Sequence, residues 1–184
     1  MSHVRTPISL NDPFSLLEVK LRARVDHPYD DTDLEMAAHT AAAEIEARTG
    51  LALLASQITV TLDAWGDRIP LPVGPFFMAG LAGHPLTVQL RDDEGNLTPH
   101  PAGWWVEPSR SPVLNLTSKG TGAAILITYP AGFGLALADI PADLRLAIND
   151  EATRLYDLRG ASEAPQGLSL AAARVVGRYA RVRV

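Results

Sequence analysis

The hydrophobic period of this chain changes twice, and that restricts the folds open to it. Leu34, Ala38, Ala41 and Ile45 fall on one face at helical spacing, and Gly50 stops the pattern. From Gln57 the period becomes two: Ile58, Val60 and Leu62 alternate with Thr59, Thr61 and Asp63, as in a half-buried strand. The strand pattern Ala124-Ile125-Leu126-Ile127-Thr128-Tyr129 then runs into the turn Pro130-Ala131-Gly132-Phe133-Gly134, and helical spacing returns at Ile140-Pro141-Ala142-Asp143-Leu144-Arg145. The expected class is therefore α+β: a bundle of about four helices carrying an antiparallel β-module between the second and third helices.

Local signals fill in that frame. Asp12 is an expected N-cap, with Pro13 at the first helical position ahead of Leu16, Leu17, Val19 and Leu21. Thr32 and Glu35 have capping-box spacing at the start of the second helix, whose alanine-rich face suits close packing against another helix. In the β-module, Ile69-Pro70-Leu71-Pro72 fits only an edge, because proline donates nothing to a ladder. Leu86, Val88 and Leu90 lead to an acidic hairpin tip, Asp92-Asp93-Glu94-Gly95-Asn96, and Trp104-Trp105-Val106 and Val113–Leu116 are short strands. Leu144, Ala147, Ile148, Ala152, Leu155 and Leu158 form the stripe of the third helix. A loop follows over residues 161–167; Ser169 caps a last helix from Leu170 to about Val176, and Gly177 ends it. The tail from Arg178 to Val184 alternates apolar and basic residues and reads as a terminal strand able to join another chain's sheet. The expected segments are 1–54 and 135–176 for the helices, 55–134 for the β-module and 177–184 for the tail.

Composition excludes several classes. Apolar residues make up 47% of the 184, enough for a sizeable core. There is no cysteine, which rules out disulfides, thiol catalysis and cysteine-held zinc. A net charge of -5 argues against general nucleic-acid binding, although four arginines and no acid lie between Arg174 and Val184. No apolar run approaches the ~20 residues of a membrane span, and the stretch from Met1 to Pro7 lacks the apolar core of a signal peptide. A soluble protein made in the cytoplasm is expected.

Residues with chemistry gather into no catalytic constellation. Asp30, Asp31, Asp33 and Glu35 read as helix capping ahead of a divalent-cation site, since the glycine and distal glutamate of a calcium loop are missing. His3, His27, His39, His84 and His100 are scattered, without metal-ligand spacing. Gly120-Thr121-Gly122 precedes a strand, whereas a phosphate loop follows one. Hydrolysis by the carboxylates of residues 30–35 is the weakest reading. Trp104 and Trp105 offer two: a sugar-stacking platform on a carbohydrate-binding β-module, or one ring packed inward and its neighbour turned outward or against another subunit. Phe76 and Phe77, within the apolar loop Val73–Leu81, are a contact surface if exposed and a cap on the β-module if folded back. No catalytic residue, metal or cofactor is expected.

Four pieces, in this order, resemble the head–tail connector (adaptor) proteins of long-tailed phages and gene transfer agents. They are the run from Leu17 to Asp26 with Asp30-Asp31-Thr32-Asp33; Glu46-Ala47-Arg48-Thr49-Gly50-Leu51-Ala52-Leu53; the stretch from Ile125 to Gly134; and that from Ile140 to Ile148. The resemblance spans about Leu16 to Tyr179. It implies a helical bundle with a β-rich insertion, assembled as a ring, usually of twelve copies, in the neck of a virion or phage-like particle. The ring would lie between the portal protein and a stopper or tail-terminator protein, with double-stranded DNA passing through its channel and no membrane contact. By the same resemblance the C-terminal segment reaches the portal, which makes Arg178, Tyr179, Ala180, Arg181, Val182, Arg183 and Val184 the expected portal-contact residues.

Overall fold

The computed structural model describes residues 2–159 and 167–180. The chain divides into two compact units, one made of Met1–Leu10 and Leu54–Leu135, the other of Asn11–Leu53 and Ala136–Val184. The first holds all the described strands and the second all four described α-helices. The four helices and antiparallel sheets meet the expected α+β class, with the bulk of the strands between the second and third helices. One boundary is corrected. Residues 1–10 belong with the β unit, and not with the helices as the expected 1–54 segment had them.

The β unit contains two sheets. Its larger sheet has the order β1-β2-β8-β4-β5, where β1 is Ser2–Pro7, β2 Ser56–Leu62, β4 Thr87–Arg91, β5 Leu97–Pro99 and β8 Ala124–Ala131, and every neighbouring pair is antiparallel. The smaller sheet has the order β3-β7-β6, with β3 Arg68–Pro70, β6 Trp104–Glu107 and β7 Val113–Leu116. Strand β8 is central because it is apolar almost throughout: Ile125, Ile127 and Tyr129 are fully buried on one face. The registers set Ile58 against Tyr129, Val60 against Ile127 and Val88 against Ile127, so the apolar half of each alternating strand shares a core face. The opposite face carries Thr59 and Thr128, whose hydroxyls lie 3.1 Å apart.

Tyr129 is the polar point of that core. Its hydroxyl donates to the Val73 carbonyl at 2.9 Å and accepts the Val73 N–H at 3.1 Å. The Phe76 ring stacks on it at 6.2 Å with an interplanar angle of 6°. The loop Val73–Leu81 therefore folds back as a cap, with Phe76 buried and Phe77 half-buried, its N–H bonded to the Pro130 carbonyl at 3.0 Å. At the exit of β8, Gly132 has φ 136, and a Cβ there would lie 2.7 Å from the Ala55 backbone nitrogen. Glycine is the residue type that tolerates that backbone angle together with so close an approach.

In the helical unit, α1 is Leu16–Ala23, α2 Asp31–Thr49, α3 Ala142–Asp157 and α4 Leu170–Tyr179. Leu34, Ala38, Ala41 and Ile45 of α2 are fully buried, as are Leu144, Ala147, Ile148 and Ala152 of α3. Gly50 closes α2 in the left-handed region. The N-terminal expectations need correcting. The N-cap of α1 is Ser15 and not Asp12, and α2 starts after Asp30, without the Thr32–Glu35 box. Ser169 does cap α4, accepting the Ala172 N–H at 3.1 Å. Glu151, fully buried, accepts the Ser169 N–H at 2.7 Å and the Arg154 Nε–H at 3.0 Å, so its charge is met by a cation and a backbone donor.

Tyr129→Phe leaves both backbone groups of Val73 without their buried partner. It is expected to cost about 1–3 kcal/mol in urea unfolding while the fold persists; a loss below about 0.5 kcal/mol would show the pairing to be dispensable.

Candidate functional site

The expected portal-contact residues begin inside a helix. The strand reading for the tail is corrected at its first two residues: α4 continues through Gly177 to Tyr179, and the Ala180 N–H closes it on the Val176 carbonyl at 2.7 Å. Glycine at 177 weakens a helix but does not end one when the last turn is held from outside. The holding group is Asp143, in the first turn of α3. Its carboxylate accepts the Tyr179 hydroxyl at 3.0 Å and the Arg178 guanidinium at 3.0 Å. Arg178 and Tyr179 are thus turned back onto the helical unit. Residues Arg181, Val182, Arg183 and Val184 lie outside the described residues. Asp143 was visible in the sequence only as an early residue of a helix; the two partners it joins lie 35 and 36 positions away.

The acidic run at the start of α2 is a second polar cluster, and every one of its aspartates meets a cation or a hydroxyl. Asp30 accepts the Tyr156 hydroxyl and pairs with Arg159 at 3.6 Å. Asp31 pairs with Lys20, and Asp33 with Arg159 at 3.7 Å. The Arg159 guanidinium also lies 3.8 Å from the centre of the Tyr156 ring. No side-chain capping bond forms at Asp30, so these carboxylates join helices where N-cap duty was expected. The Tyr156 hydroxyl is the main cause that holds Asp30 below its ordinary range, with Arg159 adding to it, and the same bond pushes Tyr156 up. Among the described residues, no three histidine or carboxylate side chains gather as a metal-holding group.

The tryptophans stand on opposite faces of the smaller sheet. Trp104 is opposite Leu116 and Trp105 opposite Asn115, so the register turns Trp104 to the face of Leu114 and Leu116 and Trp105 to that of Asn115 and Arg68. Edge position keeps both partly open, at 39% and 53% exposure. Trp104 borders an apolar groove of about 340 Å³ with Phe76, Met78, Leu81, Leu86 and Val106. The two rings do not form one flat platform for a sugar. Of the four expected interface residues, Phe76 is buried at the floor of this groove, stacked on Tyr129.

The architecture defines a class: a helical unit with a β-rich insertion, the arrangement that the connector resemblance implies. No family model and no curated protein matches the chain. Solved structures do. The chain resembles a chain in the neck of an empty gene transfer agent particle computed with C6 symmetry, with a TM-score of 0.81 and 26% identity over 100% of this chain and 97% of that one. It likewise resembles chains in the virion of a native gene transfer agent particle and in the neck of the native particle computed with C12 symmetry, each with a TM-score of 0.78 and 26% identity over the same shares. The likeness covers both units end to end, and it supports a structural role in a particle neck. Among the described residues, no helix is long and apolar enough to cross a membrane.

Asp30 contributes to stability in one direction only. Its pKa is lowered on folding, so its contribution is full above the ordinary aspartate value near 4 and is lost as pH falls through the lowered one. Tyr156→Phe should therefore lower the unfolding midpoint at neutral pH, with the gap to wild type narrowing as pH falls below the ordinary aspartate value near 4. A gap that does not vary with pH would contradict this origin.

Proposed function

We propose that the chain is a non-enzymatic adaptor that forms a ring between the portal and the stopper or tail terminator of a phage-like particle. The observation that carries this reading is the end-to-end likeness to neck chains at 26% identity, spanning all of this chain and 97% of theirs. Helices, insertion and C-terminal segment are matched together, so the likeness is not one of a shared module alone. A ring suits the molecule physically. A heterologous interface closes when its rotation does. A net charge of -5 on the chain would limit sticking of DNA moving through the channel.

In this reading portal contact belongs to the C-terminal segment, with its work divided. Arg178 and Tyr179, engaged by Asp143, direct the chain out of α4, and the residues after Ala180 make the contact. Arg181 and Arg183 would pair with acidic groups on the portal. The reading of Trp104 and Trp105 as a sugar platform loses support, because their rings lie on opposite sheet faces.

Removing residues 181–184 should abolish capture of the portal of the same particle while leaving the unfolding curve unchanged. Asp143→Ala, with the tail intact, should weaken capture and speed hydrogen exchange in the last turn of α4. Full portal capture by the truncated chain would contradict the assignment.

A further inference from the structure

Among the described residues the larger sheet ends in two strands with no further neighbour, β1 and β5, and the charges at these two edges are opposite. All six side chains of β1 are exposed, including Val4 at 67%. The strand carries His3 and Arg5 and no acid. It is held by its ladder to β2 and by the bond from Arg5 Nε to Ser56 Oγ at 2.9 Å. A strand that buries none of its side chains gains little from its own fold, and stable edges of this kind are generally covered or guarded. Strand β5 is exposed throughout as well, and it directly follows the acidic tip. Within that tip Asp92 is used internally, accepting the N–H groups of Glu94 at 3.0 Å and Asn96 at 2.8 Å. Asp93 and Glu94 are exposed beyond it, with Glu94 also accepting an Asn96 side-chain N–H at 3.4 Å.

Backbone geometry tells which groups point away from the sheet. Asp92 N–H bonds to Asn96 O at 3.1 Å and His100 N–H to Val88 O at 2.9 Å, so alternation turns the backbone of Leu97 and Pro99 outward. Ile8 N–H bonds to Ala55 O at 2.9 Å, and the same alternation turns His3, Arg5 and Pro7 outward on β1. Each edge thus offers a short ladder that a proline ends, which discourages indiscriminate pairing. Because every neighbouring pair in the sheet is antiparallel, β1 and β5 run in the same direction. A head-to-tail step from copy to copy then sets β5 of one beside β1 of the next as a parallel pair. It also brings the acidic tip to the end of β1 that carries His3 and Arg5.

We propose that β1 of one copy docks on the β5 edge of the next, with His3 and Arg5 facing Asp93 and Glu94, as a contact that closes the ring. The two surfaces differ, so the contact is heterologous, as a ring with more than two copies needs. The proposal rests on the ring-forming reading above and adds the surface that makes the ring.

The chain has no cysteine, so introduced thiols are unique. Val4 and Leu97 lie on the same face of the sheet, through the rows Val4–Thr59–Thr128–Thr87 and Arg91–Leu97. Full-length protein carrying Val4→Cys and Leu97→Cys, treated with a short bismaleimide, should give a ladder of covalent oligomers. A mixture of the two single variants should stop at a dimer, and neither single variant should cross-link alone. Arg5→Glu should weaken self-association about tenfold, and adding Glu94→Arg should restore it. Rings seen by electron microscopy but without this ladder would overturn the edge contact and leave the ring reading standing. Dimers from Val4→Cys alone would overturn it in favour of β1 pairing with itself. A monomer at every concentration, with no cross-linking either alone or mixed with the portal, would overturn both readings.

Discussion

Strand β8 is the constraint on which the β unit depends. It is hydrogen-bonded on both sides, to β2 and β4, and its fully buried Tyr129 holds the backbone of Val73 on the core. That one hydroxyl converts an apolar loop that would otherwise be a sticky surface into a cap, with Phe76 stacked beneath it. The same strand ends at Gly132, where the chain passes so close to Ala55 that a side chain has no room. A buried polar group with both of its bonds made stabilises and also specifies, because any other path for the loop leaves it unpaired.

The helical unit solves a different problem, that of fixing chain segments far apart in sequence. Apolar stripes on α2 and α3 supply the core, but carboxylates decide how the ends are held. Asp143 holds the end of α4, Glu151 its beginning, and Asp30 ties the start of α2 to the end of α3. These links sit at helix termini, where unsatisfied backbone groups and mobile ends most need fixing.

Much of this was legible in the sequence, wherever periodicity carried the information. The stripe of α2, that of α3 as far as Ala152, the strand at Gln57–Leu62, the acidic hairpin and the Ser169 cap stand where the pattern puts them, while Leu155 is half-buried and Leu158 lies past the end of α3. Strand β1 was not legible, because Ser2-His3-Val4-Arg5-Thr6-Pro7 has no apolar face and takes its form from pairing with β2. The start of α1 was misplaced because Asp12-Pro13 is a sound local signal that tertiary structure overrides. Gly177 misled in the same way, since a side-chain clasp from another helix kept α4 going. The clasp could not be read at all: Asp143, Arg178 and Tyr179 have no spacing rule that joins them. Trp104 and Trp105 were rightly set on opposite faces, but an edge strand left both partly exposed.

The central claim is that this chain is a ring-forming neck adaptor, and the most direct measurement is its mass and symmetry by electron microscopy, alone and mixed with the portal of its particle. The account predicts a closed symmetric ring of this chain seated on the portal. A chain that stays monomeric and ignores the portal would contradict it.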